Sequence, residues 1–156
     1  MQKEKFSINI KASKEKIWLV LWGDKTFRDW ANIIDDGTYM VGEMKEGKKV
    51  QFISSVSGYG VTSLIDKLVL NEFVLFKHMA DTKESGEQQR ENEWSGGTES
   101  YSLKESGNIT TLIVEFDVPP EQIKTFKDRF PKALKRVKEI AEENNTTIQK
   151  RNSIKQ

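Results

Sequence analysis

The sequence predicts an α+β fold: a curved antiparallel sheet of six to seven strands around one long C-terminal helix, with two short helices after the first strand. Three features predict it. From Glu121 to Asn144 the apolar residues Ile123, Phe126, Phe130, Leu134, Val137 and Ile140 step by three or four, as one buried stripe requires. Lys124, Lys127, Lys132, Lys135, Arg136, Lys138 and Glu139 fill the remaining positions, so this helix lies on something apolar with its back to water. Ahead of it, from Thr38 to Val118, strand-like segments follow one another without a helical pattern between them. At the start of the chain, Phe6, Ile8 and Ile10 alternate with Ser7, Asn9 and Lys11, the period of a strand with one buried face.

The elements between follow from local chemistry. Ser13 is placed to cap a helix that runs through Trp22, with Ile17, Trp18, Leu21 and Trp22 inward, and Gly23 ends it. A second short helix starts at Asp24, presents Phe27, Trp30 and Ala31, and gives way to a turn at Asp35-Asp36-Gly37. Strands are expected over Thr38 to Met44, Lys48 to Ser57, Val61 to Leu70 and Phe73 to Thr82, with connections short enough for hairpins. The charged segment Lys83 to Arg90 reads as a longer loop, and Glu91 to Glu105 and Asn108 to Val118 as a last hairpin around Ser106-Gly107, with a bulge at Gly96-Gly97. Pro119-Pro120 stops the sheet and pre-sets the first turn of the long helix, which Pro131 is expected to bend. The pattern is one domain over residues 1–145, followed by a polar, unpatterned tail over 146–156 that is expected to be disordered.

Composition narrows the function classes. A chain of 156 residues can bury roughly 70% of the surface its unfolded form exposes, enough for a real core. Twenty-five Lys and Arg against 24 Asp and Glu leave a formal charge of +1, which offers no electrostatic case for a nucleic-acid partner. Cysteine is absent, and with one histidine a zinc site or a thiolate nucleophile is not expected; no metal or other cofactor is called for. The N-terminus is charged from Lys3 onward and no apolar run reaches the ~18 residues of a membrane span, so a cytoplasmic location without membrane insertion is expected. On that reading the Asn-x-Thr triplets at Asn108, Asn144 and Asn145 are chance. Gly58-Tyr59-Gly60 lacks the third glycine and the following helix of a dinucleotide site, and reads as a turn.

Geometry gives a reason to expect a pocket. Six or seven strands at about 4.8 Å spacing make a sheet roughly 25–30 Å wide, whereas a helix with its side chains is about 10–12 Å across. One helix cannot cover that sheet, so curvature, the two short helices and large side chains must fill the remainder or a cavity stays open. The candidate walls are Trp30, Phe52, Trp94, Tyr101, Phe126 and Phe130; the same rings would serve equally well as a packed interior. His78 shares a strand face with Val74, Phe76 and Ala80, where the imidazole would meet an apolar region and, with Tyr101, could orient a ligand. Asp66 lies between Leu64 and Leu68 on one strand face, and Lys67 between Ile65 and Val69 on the other, so one charge is expected to point inward. If it is Asp66, that carboxyl could anchor a ligand hydroxyl or act as a general acid.

Two segments carry a family resemblance. One runs Val50-Gln51-Phe52-Ile53-Ser54-Ser55 into Gly58-Tyr59-Gly60 and on to Leu70-Asn71-Glu72-Phe73-Val74-Leu75-Phe76-Lys77-His78. The other is Glu93-Trp94-Ser95-Gly96-Gly97-Thr98-Glu99-Ser100-Tyr101, with Phe130-Pro131-Lys132-Ala133-Leu134 in the final helix. With the opening strand and the helix after it, the chain resembles the SRPBCC, or START-like, superfamily, within it the group named after the C-terminal domain of the heat-shock chaperone ATPase activator. The resemblance implies a helix-grip domain with a hydrophobic cavity between sheet and C-terminal helix, and no single catalytic motif to carry over. Three functions follow as expectations: reversible binding of a small hydrophobic or aromatic ligand, contact with a chaperone or other protein, and cyclase-like acid/base chemistry through Asp66 or His78.

Overall fold

The computed structural model describes residues 1–84, 86–87 and 94–155, with side chains for 1–84 and 94–143. Alternation along β1 (Gln2–Ile10) turns Phe6, Ile8 and Ile10 to the core and their polar neighbours to water. Ser13 caps α1 (Lys14–Trp22), its hydroxyl accepting from the Lys16 amide at 3.2 Å, and Gly23 separates it from α2 (Asp24–Ala31). Among the described residues six strands follow with no helix between them: β2 (Thr38–Val41), β3 (Lys49–Ser54), β4 (Tyr59–Val69), β5 (Phe73–Lys83), β7 (Thr98–Ser106) and β8 (Ile109–Val118); a two-residue β6 (Gly86–Glu87) pairs with β5. All pairings are antiparallel, in the order β1-β8-β7-β5-β4-β3-β2. Pro119 then continues the extended chain, Pro120 opens a single 3-10 turn, and α3 (Ile123–Lys155) runs unbroken through Pro131.

The stripe on α3 meets the sheet as its spacing requires. Phe130, Leu134 and Val137 are buried with Ala133 and Ala141 beside them, and Ile123 and Phe126 are partly covered. The Phe130 ring lies 4.6 Å from that of Phe116 of β8 and 5.6 Å from that of Phe6 of β1, so the helix grips the first and last strands of the chain, which pair at one edge of the sheet. The short helices roof the remaining concave surface with Trp18, Trp22, Phe27 and Trp30.

Two bulges in the β4–β5 pair overturn parts of the alternation argument. Ile65 faces Phe76 and Lys67 faces Leu75, so Asp66 is the extra residue and does not point inward as expected. It is exposed, 3.7 Å from Lys77, and Lys67 is exposed as well; Ile65, rather than Leu64, is the buried residue of that stretch. The second bulge falls between the pairs Thr62–Ala80 and Ser63–His78 and leaves Met79 unopposed. Gly96-Gly97 forms a turn rather than a bulge, with Gly96 at φ +85°, and β7 starts at Thr98. The expected loop over Lys83 to Arg90 and the strand start at Glu91 fall largely outside the described residues.

One surface contact ties the roof to the grip. Arg136 of α3 donates through Nε and Nη2 to the two carboxylate oxygens of Asp29 on α2, at 2.8 and 2.9 Å. That bidentate bond holds the Asp29 carboxyl below its usual value against the opposing effect of burial. A depressed carboxyl stabilises the folded state above its ordinary range, and the contribution disappears as pH falls through the folded value. With the two side chains 34% and 40% exposed, water screens the pair to about 0.5–1 kcal/mol. Asp29→Asn is therefore expected to lower the urea midpoint at neutral pH, and the gap from the parent should close as pH falls through the depressed Asp29 value.

Candidate functional site

Between the sheet, the two short helices and α3 lies a cavity of about 400 Å³. Trp22 of α1 and Phe27, Trp30 and Ala31 of α2 form its roof; Phe52 and Val61 line one flank, and Phe126, Arg129 and Phe130 of α3 the other. The floor is set by His78, Asp81, Trp94, Glu99 and Tyr101. Trp30, Phe52, His78, Trp94, Tyr101, Phe126 and Phe130 thus all line one space, whereas Asp66 is outside it on the exposed bulge. Aromatic contacts bind the walls together: Phe27 to Trp30 at 5.2 Å, Phe52 to Phe76 at 5.2 Å, and Trp94 to Phe126 at 5.3 Å. Trp30 also donates its indole N–H to the Leu21 carbonyl at 3.1 Å, while the buried indole N–H of Trp22 meets no acceptor.

A polar group of four crosses the floor. Ser63 Oγ lies 2.7 Å from His78 Nδ1, His78 Nε2 lies 3.6 Å from Glu99 Oε1, and the Tyr101 hydroxyl donates to Glu99 Oε2 at 2.5 Å. The tautomer that serves both neighbours has Nδ1 accepting from Ser63 and Nε2–H directed at Glu99. Burial pushes the Tyr101 hydroxyl well above its usual pKa, and the adjacent Glu99 charge adds to the shift. Tyr101 is therefore a fixed donor to Glu99, and its hydroxyl proton is committed there. His78 is similarly committed at Nδ1.

Serine, histidine and glutamate in a row invite comparison with a nucleophilic triad, but the geometry does not support one. Ser63 is completely buried and is not part of the cavity wall, so its oxygen cannot reach a bound molecule. The arrangement orients side chains instead, and it leaves Glu99 as the carboxylate that both touches the network and fronts the cavity. Among the described residues no group of three or more His, Asp or Glu is placed to hold a metal ion, and no helix is long and apolar enough to cross a membrane.

At the opening, Arg129 donates to the Ile34 carbonyl at 3.0 Å beside Asp35. The Asp35 carboxyl is pushed up by desolvation and by Asp36, with the Arg129 charge pulling the other way. Asp81, Glu99, Asp35 and Arg129 were not singled out from sequence. Glu99 had a legible signal, because it shares the inward face of β7 with Tyr101 and Leu103. Asp81 had none: strict alternation from His78 turns it outward, and the bulge at Met79 brings it to the cavity.

Solved structures share this architecture. The solution structure of the Aha1 dimer from Colwellia psychrerythraea is 22% identical, over 90% of this chain and 96% of that one, with a TM-score of 0.69. A crystal structure of a Mesorhizobium loti protein is 11% identical over 91% and 98% of the two chains, with a TM-score of 0.71. This is a helix-grip fold. DynU16, a protein in the dynemicin biosynthetic locus, has the same helix-grip architecture at 12% identity and a TM-score of 0.66, over 91% of this chain and 48% of its own. No family model and no curated protein matches the sequence.

Proposed function

We propose that this helix-grip domain reversibly binds a small, largely apolar or aromatic molecule in the space between the sheet and α3. The observation that carries the reading is the cavity itself: about 400 Å³, within the ~300–1,000 Å³ range of small-molecule sites, walled by Trp, Phe and Tyr rings and furnished with a few converging polar groups. A close-packed interior would hold no such volume. The roof helices and α3 are joined by side chains at the surface, which would let the cavity admit a ligand without dismantling the sheet.

The test is a fragment screen followed by NMR shift mapping on the intact protein. Shifts are expected to cluster at Trp30, Phe52, His78, Trp94, Tyr101, Phe126 and Phe130; scattered shifts, or none across an aromatic library, would remove the carrier reading. The sequence resemblance to the group named after the chaperone ATPase activator, with the fold shared with Aha1 over 90% of this chain, supports a second reading, contact with a chaperone or another protein. That reading needs an outer surface, and Leu19 and Leu70, 69% and 67% exposed, are apolar candidates for it. Capture of a chaperone that depends on Leu19 and Leu70, and is indifferent to cavity substitutions, would favour it over the first.

A further inference from the structure

We infer that the ligand presents a protonated amine on an aromatic body, and that Glu99 is the group that receives it. The inference rests on the carrier reading and specifies its chemistry. Glu99 lines the cavity with its side chain 21% exposed, and one of its oxygens is already taken by Tyr101. The other oxygen, Oε1, is 3.6 Å from His78, beyond a hydrogen bond, and so keeps its capacity to accept. Its ion-pair partner among the described residues is that histidine, which carries a charge only when protonated, and among those residues no Lys or Arg is ion-paired with it.

The other charges on the wall point the same way. Among the described lining residues the acidic groups are Asp35, Glu99 and Asp81, the last with an interaction partner of its own, and the permanent cation is Arg129. Arg129 is engaged at the mouth with the Ile34 carbonyl and with the field of Asp35, away from the floor. A carboxylic acid entering this space would bring a second negative charge to Glu99, at a cost. A neutral hydroxyl could hydrogen-bond to Oε1 but would leave the charge unmatched. An ammonium group satisfies both, through a charge-assisted bond roughly twice as strong as a neutral one. The rings of Trp94 and Tyr101, on the same floor, add faces that attract a cation.

Three probes with one bicyclic body separate the cases: 1-naphthylmethylamine, 1-naphthylmethanol and 1-naphthoate, titrated into the full chain near neutral pH and followed by tryptophan fluorescence and NMR. The amine is expected to bind at least about tenfold more tightly than the alcohol, with the acid weakest. In Glu99→Gln, which keeps an acceptor for the Tyr101 hydroxyl, the amine should fall to within about threefold of the alcohol while alcohol binding holds. An alcohol or acid that equals the amine on the parent protein overturns the amine assignment and leaves the carrier reading standing. An amine preference that survives Glu99→Gln overturns the role of Glu99. Failure of all three probes to bind overturns this inference and, with a silent fragment screen, the carrier reading too. The parent-protein comparison needs no variant, so a folding defect in Glu99→Gln cannot rescue the proposal.

Discussion

Phe130→Ala should cost the folded state about 3–5 kcal/mol, a large share of the ~5–15 kcal/mol that holds a domain of this size together. Phe130 is 1% exposed and is the side chain through which α3 touches both Phe116 of β8 and Phe6 of β1, with Phe126 one turn earlier at 6.2 Å. Removing the ring deletes its transfer free energy and leaves a hole between helix and sheet that neither backbone can close alone. The lower part of the range is the better expectation, because one side of the ring already fronts the cavity and has fewer neighbours to lose. Urea denaturation reads the effect as a lower midpoint with an unchanged slope. Lys132→Ala, one face away on exposed helix surface, should stay within about 0.5 kcal/mol of the parent. A loss under about 1 kcal/mol for Phe130→Ala would mean that α3 does not hold the sheet as described.

The helix grip was legible because its signals are local and redundant. Ile123 to Ile140 announce one buried stripe, Ser13 and Gly23 punctuate α1, and Pro119-Pro120 ends the strands, each through chemistry confined to a few residues. Pairing of β1 with β8 was not legible, since Phe6 and Val114 meet across more than a hundred residues and no local pattern names a partner that far away. The site divides on the same principle. Aromatic walls such as Trp30 and Phe126 follow from helix periodicity, which a helix cannot lose without breaking hydrogen bonds. Polar groups on strands follow from a period of two, and one inserted residue reverses it. That reversal sent Asp66 outward and brought Asp81 in, within a single strand pair. Side-chain networks were out of reach altogether: Ser63, His78, Glu99 and Tyr101 come from three strands, and their bonds depend on register.

Gly60→Ala tests the close approach that shapes one wall of the cavity, and it is expected to cost about 3 kcal/mol or more. Gly60 faces Ile53 across the β3–β4 pair, and a Cβ built there would lie 1.8 Å from the Phe52 carbonyl oxygen and 2.7 Å from Ile53 Cα. These are backbone atoms, so no rotamer change can make room; β3 itself must move, and Phe52 moves with it out of the cavity wall. Gly58→Ala is the matched control two residues earlier. Its φ of +77° strains any L side chain, but nothing lies within 4 Å of the added carbon, so the cost should be the left-handed penalty alone, about 1 kcal/mol. The two variants therefore separate backbone strain from steric exclusion in one turn. If Gly60→Ala is no more destabilised than Gly58→Ala, β3 and β4 do not approach as closely as described. If it is, aromatic-ligand binding should weaken in Gly60→Ala even where the variant remains folded, because Phe52 reaches the cavity only while β3 lies against a residue with no side chain.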